Sequence, residues 1–122
     1  MHIGEVAERS GLSSRTLRHY EQIGLLVPSE RTGGGFRVYS DEDMRRLMTI
    51  RRMKALSYST AEMGRLLELL DIAEGDGPEA ERRQARAELD AMQADAQARR
   101  AKLARDLERA DEFLGILAER LA

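Results

Sequence analysis

IGEVAERSGLSSRTLRHYEQIGLLVPSERTGGGFRVY, residues 3–39, holds two short helix patterns, a tight turn and a glycine-rich basic hairpin. Ile3, Val6 and Ala7 stand at i, i+3, i+4, the spacing of a short amphipathic helix. Ser10-Gly11 ends that helix. Leu12 turns back toward the core, and Ser13 or Ser14 caps a second helix. This second helix is expected to bury Leu17, Tyr20 in part, and Ile23, with Gly24 closing it. Two short helices joined by a turn of this length make a helix-turn-helix. The run Ser14-Arg15-Thr16-Leu17-Arg18-His19-Tyr20-Glu21 crowds two arginines, a histidine and a tyrosine onto one helix whose apolar residues face inward. Such a cationic, hydrogen-bonding ridge suits a DNA groove.

The residues that follow complete a small module. Leu25-Leu26-Val27-Pro28 reads as a short extended segment, Arg31 to Gly35 as a turn, and Phe36-Arg37-Val38-Tyr39 alternates as a strand does. The result is a β-hairpin wing with Arg31 near its tip and Phe36, Arg37 and Tyr39 on its far strand. Ser40-Asp41-Glu42-Asp43 opens another helix, its acids favouring the positive helix end. Met44, Leu47, Met48 and the stem of Arg51 are expected on its inner face, to about Leu56. Ser59 and Glu62 form a capping box, after which Met63, Leu66, Leu67 and Leu70 repeat at helical spacing. A second helix pair therefore follows the wing, completing a DNA-binding module over residues 1–70.

Residues 71–77, rich in acid and glycine, read as a linker, and Pro78 suits a first helical turn. From there to Ala122 only Gly115 interrupts the helix pattern. Such a helix spans about 66 Å at ~1.5 Å per residue, more than twice the roughly 30 Å diameter of a 70-residue domain. Leu103, Leu107, Ala110, Leu114, Leu117 and Leu121 alternate four and three apart, a heptad seam. Leu89, Met92 and Ala96 carry the seam upstream, mixed there with Gln93 and Arg100. The seam points to pairing with a second copy, so residues 78–122 read as a dimerisation helix. The fold class is mainly α.

Composition narrows the alternatives. Cysteine is absent, and His2 and His19 are the only imidazoles, so thiolate metal sites and disulfides are excluded and no metal or cofactor is expected. Residues 1–70 hold 11 basic against 9 acidic side chains, a net +2, and residues 71–122 hold 9 against 13, a net −4. The basic excess lies with the hairpin, as a phosphate-binding module needs. Lys54 and Lys102 are the only lysines. Neither a membrane-length apolar run nor a secretory leader is evident, so a cytoplasmic protein, associated with the nucleoid through DNA, is expected. No nucleophile–base pair, phosphate loop or HExxH motif supports an enzyme.

Ile3-Gly4-Glu5-Val6-Ala7, Gly11-Leu12-Ser13, Thr16-Leu17-Arg18-His19-Tyr20-Glu21, Gly24-Leu25-Leu26 and Gly35-Phe36-Arg37-Val38-Tyr39, with the helix pair that follows, resemble the MerR family of bacterial transcription regulators. The likeness runs nearly unbroken over residues 3–70. It implies a winged helix-turn-helix and an antiparallel coiled-coil homodimer. It further implies that the second helix enters the major groove, with Ser14 at its start and Arg15 and Arg18 touching bases or phosphates. His19 falls where the family usually has tyrosine, and Tyr20 where a tyrosine touches the backbone or packs beneath it. Arg37 and Tyr39 match wing residues that grip phosphate, and Lys54 and the turn after Leu56 lie near the backbone. Ser57 stands where the family commonly has glycine and Thr60 where it often has leucine; a positive φ at Ser57 would cost about 1 kcal/mol. Family metal sensors use cysteines that this chain lacks.

The leading expectation is a homodimeric regulator that reads a pseudo-palindromic promoter site. It would bend and untwist the duplex so that RNA polymerase engages both promoter elements. Two possibilities stay open for its signal. A small organic effector could sit between the long helix and the partner's DNA-binding domain, or the regulator could respond to none. The alternative is a protein–protein adaptor or nucleoid-associated module that works through the long helix and binds DNA without sequence preference.

Overall fold

The computed structural model describes residues 1–31, 35 and 37–122, apart from the side chain of Arg31. In chain order the elements are α1 (Ile3–Ser10), α2 (Ser14–Gln22), β1 (Glu30–Arg31), β2 (Arg37–Val38), α3 (Asp41–Ala55), α4 (Thr60–Glu74) and α5 (Glu79–Leu121). β1 and β2 pair antiparallel, with Glu30 opposite Val38 and Arg31 opposite Arg37. The chain forms two compact units, Met1–Glu68 and Leu69–Ala122. Among the described residues no helix is long and apolar enough to cross a membrane.

Local chemistry sets the helix ends. The Ser13 hydroxyl accepts from the Thr16 N–H at 3.1 Å and starts α2. At the other end of α2 the N–H of Leu25 reaches the Tyr20 carbonyl at 2.9 Å and that of Gly24 reaches Glu21 at 3.1 Å, with Gly24 left-handed at φ 76°. This is a Schellman closure, and it overturns one expectation. Ile23 is not buried but 47% exposed, because the chain reverses at Gly24 and Leu25 takes the inner position beside Tyr20.

α3 begins with a full capping box. The Asp43 N–H bonds the Ser40 hydroxyl at 3.0 Å and the Ser40 N–H returns a bond to Asp43 Oδ2 at 2.8 Å. The same oxygen accepts from the Ser29 N–H at 3.0 Å and the Ser29 hydroxyl at 2.6 Å. One buried carboxylate thus ties the entry of the wing to the start of α3. The inner face of α3 is Leu47, Ile50 and Met53, whereas Met44 and Met48 are only half-buried and Arg51 is exposed. The buried face is turned by about one residue step from the expected one, since Asp43 anchors the first turn inward.

α3 closes as α2 does, with Tyr58 N–H to the Met53 carbonyl at 3.2 Å and Ser57 N–H to Lys54 at 3.0 Å. Here the left-handed residue is Ser57, at φ 63°. Ser59 and Glu62 then cap α4 reciprocally, at 3.1 and 2.9 Å. The core of the first unit gathers Val6, Leu17, Tyr20, Leu26, Tyr39, Leu47, Ile50, Met63 and Leu67.

The reading of residues 71–77 as a linker needs correction. α4 runs on to Glu74, because Asp71-Ile72-Ala73-Glu74 contains nothing that breaks a helix. The interruption comes at Gly75, where an added Cβ would stand 2.8 Å from the Asp71 carbonyl oxygen. The boundary between compact units falls between Glu68 and Leu69, inside α4 and two residues before the position read from sequence.

Candidate nucleic-acid interface

Leu17 and Tyr20 hold the inner side of α2, so its helical period turns Arg15, Arg18 and His19 outward, and all three are exposed. Among the described residues neither Arg15 nor Arg18 has a hydrogen-bond or ion-pair partner. Ser14, at the first helical position, is half-buried.

α2 lies between two clefts and supplies side chains to both. The first, of about 530 Å³, is lined by His2, Ile3, Arg18, Gly35 and Arg37. The second, of about 410 Å³, is lined by Arg15, Thr16, His19, Tyr20, Lys54, Tyr58, Thr60 and Met63. The wing thus contributes a cation to one side of the ridge and the end of α3 contributes one to the other. Lys54 is exposed in the last turn of α3, immediately before the Ser57 closure.

Glu21 joins α2 to the wing. Its carboxylate pairs with the Arg37 guanidinium through Nε and accepts a hydrogen bond from the Tyr39 hydroxyl at 3.2 Å. Arg37's own hydrogen bond to Glu21 and the Glu21 charge hold the Arg37 pKa above its ordinary value, so it stays a cation. Tyr39 is 1% exposed and Tyr20 4%. Tyr20 was expected to be partly buried and Tyr39 to grip phosphate from the wing; the structure buries both rings. An aromatic ring between α2 and the wing is worth more as packing than as an exposed donor. Tyr39 acts through Glu21, and Tyr20 lines the second cleft while remaining part of the core. Burial also pushes the Tyr20 phenol pKa up, which keeps it neutral.

The expected contacts of the Arg31 side chain and of Phe36 lie outside the described residues. The structure adds His2 and Thr16 to the clefts, and it places Tyr58 and Thr60, from the turn after Leu56 already expected near the DNA backbone, in the second. Thr16 was within reach of sequence reasoning, one residue from Arg15 on the same helix. His2 was not, since its spatial neighbour Arg37 is 35 residues away.

On α5, Leu103, Leu107, Leu114, Leu117 and Leu121 are exposed, Leu107 at 64% and Leu121 at 83%, and Ala110 is exposed with them. Leu89, Met92 and Ala96 are half-buried within the single chain. Phe113 and Ile116, outside the heptad positions, are also more than half exposed.

Comparison with known proteins agrees with this architecture. Residues 1–70 match the MerR HTH family regulatory protein model. The chain is 46% identical over 71 residues to the HTH-type transcriptional regulator HmrR of Rhizobium leguminosarum bv. viciae, an overlap of 58% of this chain and 54% of that protein. The chain therefore spans about half the length of that relative. Among solved structures, MtaN, the N-terminus of the Bacillus subtilis multidrug transporter activator, is similar at 32% identity and a TM-score of 0.59, over 100% of this chain and 98% of that one. HiNmlR, a MerR family regulator lacking the sensor domain and bound to promoter DNA, is similar at 27% identity and a TM-score of 0.70, over 93% of this chain and 86% of that one. These relatives are named as regulators rather than as enzymes. With its helix-turn-helix, wing, second helix pair and long helix in that order, the chain belongs to the MerR family of HTH regulatory proteins.

Proposed function

We propose that the protein is a sequence-specific, DNA-binding transcriptional regulator that acts as a homodimer on a pseudo-palindromic promoter site. The observation that carries this reading is the unpaired cationic ridge of α2, with a second cation at each flank. Arg15 and Arg18 have no partner among the described residues, and Arg37 and Lys54 line the two clefts beside them. An α-helix with its side chains is about 10–12 Å across, which fits a major groove about 12 Å wide. α2 would read base edges while Arg37 and Lys54 hold phosphates and set the register.

The exposed leucines of α5 support pairing between copies along an antiparallel seam. A two-fold dimer would present two α2 ridges to successive turns of the duplex. Bending and untwisting of the promoter, with a deformation cost of order 1–6 kcal/mol offset by contacts from both flanks, would let RNA polymerase engage it. A small organic effector held between α5 and the partner's first unit belongs to the same proposal. Residues 1–70 would form the DNA-binding domain and α5 the dimerisation helix.

The test combines two measurements. Sedimentation of the pure protein is expected to give a dimer, which Leu107→Glu/Leu114→Glu converts to monomer. Binding to a duplex recovered by the wild type from a random-sequence pool is expected to fall by at least tenfold in Arg18→Ala/Arg37→Ala at moderate salt. A double variant that keeps its affinity, or a wild type that recovers no consensus, would refute the reading.

A further inference from the structure

We propose that His2 is a further DNA-contacting residue: together with Arg18 and Arg37 it seats one backbone phosphate, and its imidazole joins that contact only when protonated. The inference rests on the DNA-binding reading above and adds to it a residue and a proton.

Backbone pairing puts His2 there. The Met1 nitrogen donates to the Tyr39 carbonyl and the Tyr39 N–H donates to the Met1 carbonyl, both at 2.7 Å. Met1 thus lies alongside the residue that follows β2. His2 comes next, with Nδ1 3.3 Å from the Arg37 carbonyl oxygen. It is exposed, and it lines the same cleft as Arg18, Arg37 and Gly35. Among the described residues the charged groups around it are Arg18 from α2, Arg37 from β2 and the Met1 amino group. The nearby Glu21 carboxylate is already engaged by Arg37 and Tyr39. On its own helix Glu5 is paired with Arg9 at 3.4 Å. A cleft bordered by two guanidiniums and an imidazole has the charge and donor set for a phosphodiester.

The bond to Arg37 decides which nitrogen carries the proton. A carbonyl oxygen only accepts, so the contact requires hydrogen on Nδ1. In the neutral ring Nε2 is then a lone-pair acceptor and offers nothing to a phosphate. Protonation makes Nε2 a donor and adds a positive charge. A phosphate in the cleft and a proton on Nε2 therefore stabilise one another, and binding takes up a proton.

The experiment uses the full chain with any purification tag at its C-terminus, so that Met1 keeps its bonds to Tyr39. Affinity for the duplex recovered by the wild type is measured by fluorescence anisotropy from about pH 8 to about pH 5.5, across a salt series. The wild type is expected to tighten as pH falls. His2→Gln is expected to bind within about twofold of wild type at the upper pH and about tenfold more weakly at the lower, with a salt slope shallower by about 0.9 only at the lower. His2→Lys keeps the charge and is expected to lose the pH response while binding tightly throughout. His19→Gln, whatever its affinity, retains the wild-type response, which separates the two imidazoles. A His2→Gln variant with the wild-type pH response and slopes overturns the inference and leaves the DNA reading standing. A wild type that recovers no duplex overturns both.

Discussion

Replacing Ser57 by glycine is expected to stabilise the protein. Ser57 occupies the left-handed position of the Schellman closure at the end of α3, at φ 63°. Gly24 fills the equivalent position after α2, at φ 76°. A side chain there sets Cβ against a backbone oxygen and costs about 1–2 kcal/mol. Serine regains nothing in exchange, since its hydroxyl makes no hydrogen bond among the described residues. Glycine removes the clash but has more freedom to lose on folding, which returns about 0.5–1 kcal/mol. The net gain for Ser57→Gly is therefore about 0.5–1 kcal/mol. For a chain of this size that is a rise in Tm of roughly 2–6 °C.

Thermal and urea melts at a fixed protein concentration measure the effect, because a dimer's stability depends on concentration. Ser57→Asn should stay near wild type, since asparagine tolerates the left-handed region. Ser57→Val should lose at least about 1 kcal/mol, because a β-branched residue is a true outlier there. The order Gly, Asn, Ser, Val is the prediction. A glycine variant no more stable than wild type, together with a valine variant that melts with it, would show that the turn is not left-handed.

Three further outcomes follow from two carboxylates of the first unit. Asp43→Ala strands the Ser29 and Ser40 N–H groups and should cost about 2–3 kcal/mol in urea melts. Burial pushes the Asp43 carboxyl up, but bonds from the Ser29 hydroxyl, the Ser40 and Ser29 N–H groups and the Ser40 hydroxyl outweigh it, so its folded pKa lies below the ordinary value. Its stabilising contribution is therefore complete above the unfolded pKa of about 3.9 and is lost as pH falls through the folded value. Below about pH 4 wild type and Asp43→Asn should converge, and a gap that widens there would contradict the linkage. Glu21→Gln separates charge from position. Counting charge alone predicts tighter DNA binding, since the first unit gains a net positive. If Glu21 positions the wing, affinity for the recovered duplex should instead fall severalfold while non-specific binding at low salt holds, and a uniformly tighter variant would refute that role.

Where the sequence was readable, a local signal was the cause. Ser40 with Asp43 and Ser59 with Glu62 sit three apart, and their capping boxes formed as that spacing implies. Ser57 stands where the family commonly has glycine, and the structure gives it a positive φ, a geometry the sequence left open. The misreadings each involve a partner distant in sequence or a geometry that periodicity does not encode. Ile23 continues the apolar period of α2, yet the reversal at Gly24 hands its place to Leu25. Tyr39 reads as a donor beside Arg37, but its hydroxyl is spent on Glu21, 18 residues earlier. The stretch 71–77 looks like a linker by composition, although its first four residues favour helix and only Gly75 meets a backbone oxygen too near for a side chain.

The same distinction governs which cations are free to meet phosphate. On α5, Arg83 pairs with Glu79, Arg99 with Asp95 and Lys102 with Asp106, all four residues apart and all legible from the sequence. Exposed pairs of this kind add little stability, but each neutralises its cation locally. On α2, Arg15 and Arg18 have no acid at i±4. Glu21, the acid three residues after Arg18, is drawn away by Arg37 and Tyr39 of the wing. That long-range capture is what leaves Arg18 uncompensated. The one carboxylate of the ridge therefore neutralises the wing's Arg37 and fixes it in place, and the ridge's own Arg18 is the cation left uncompensated.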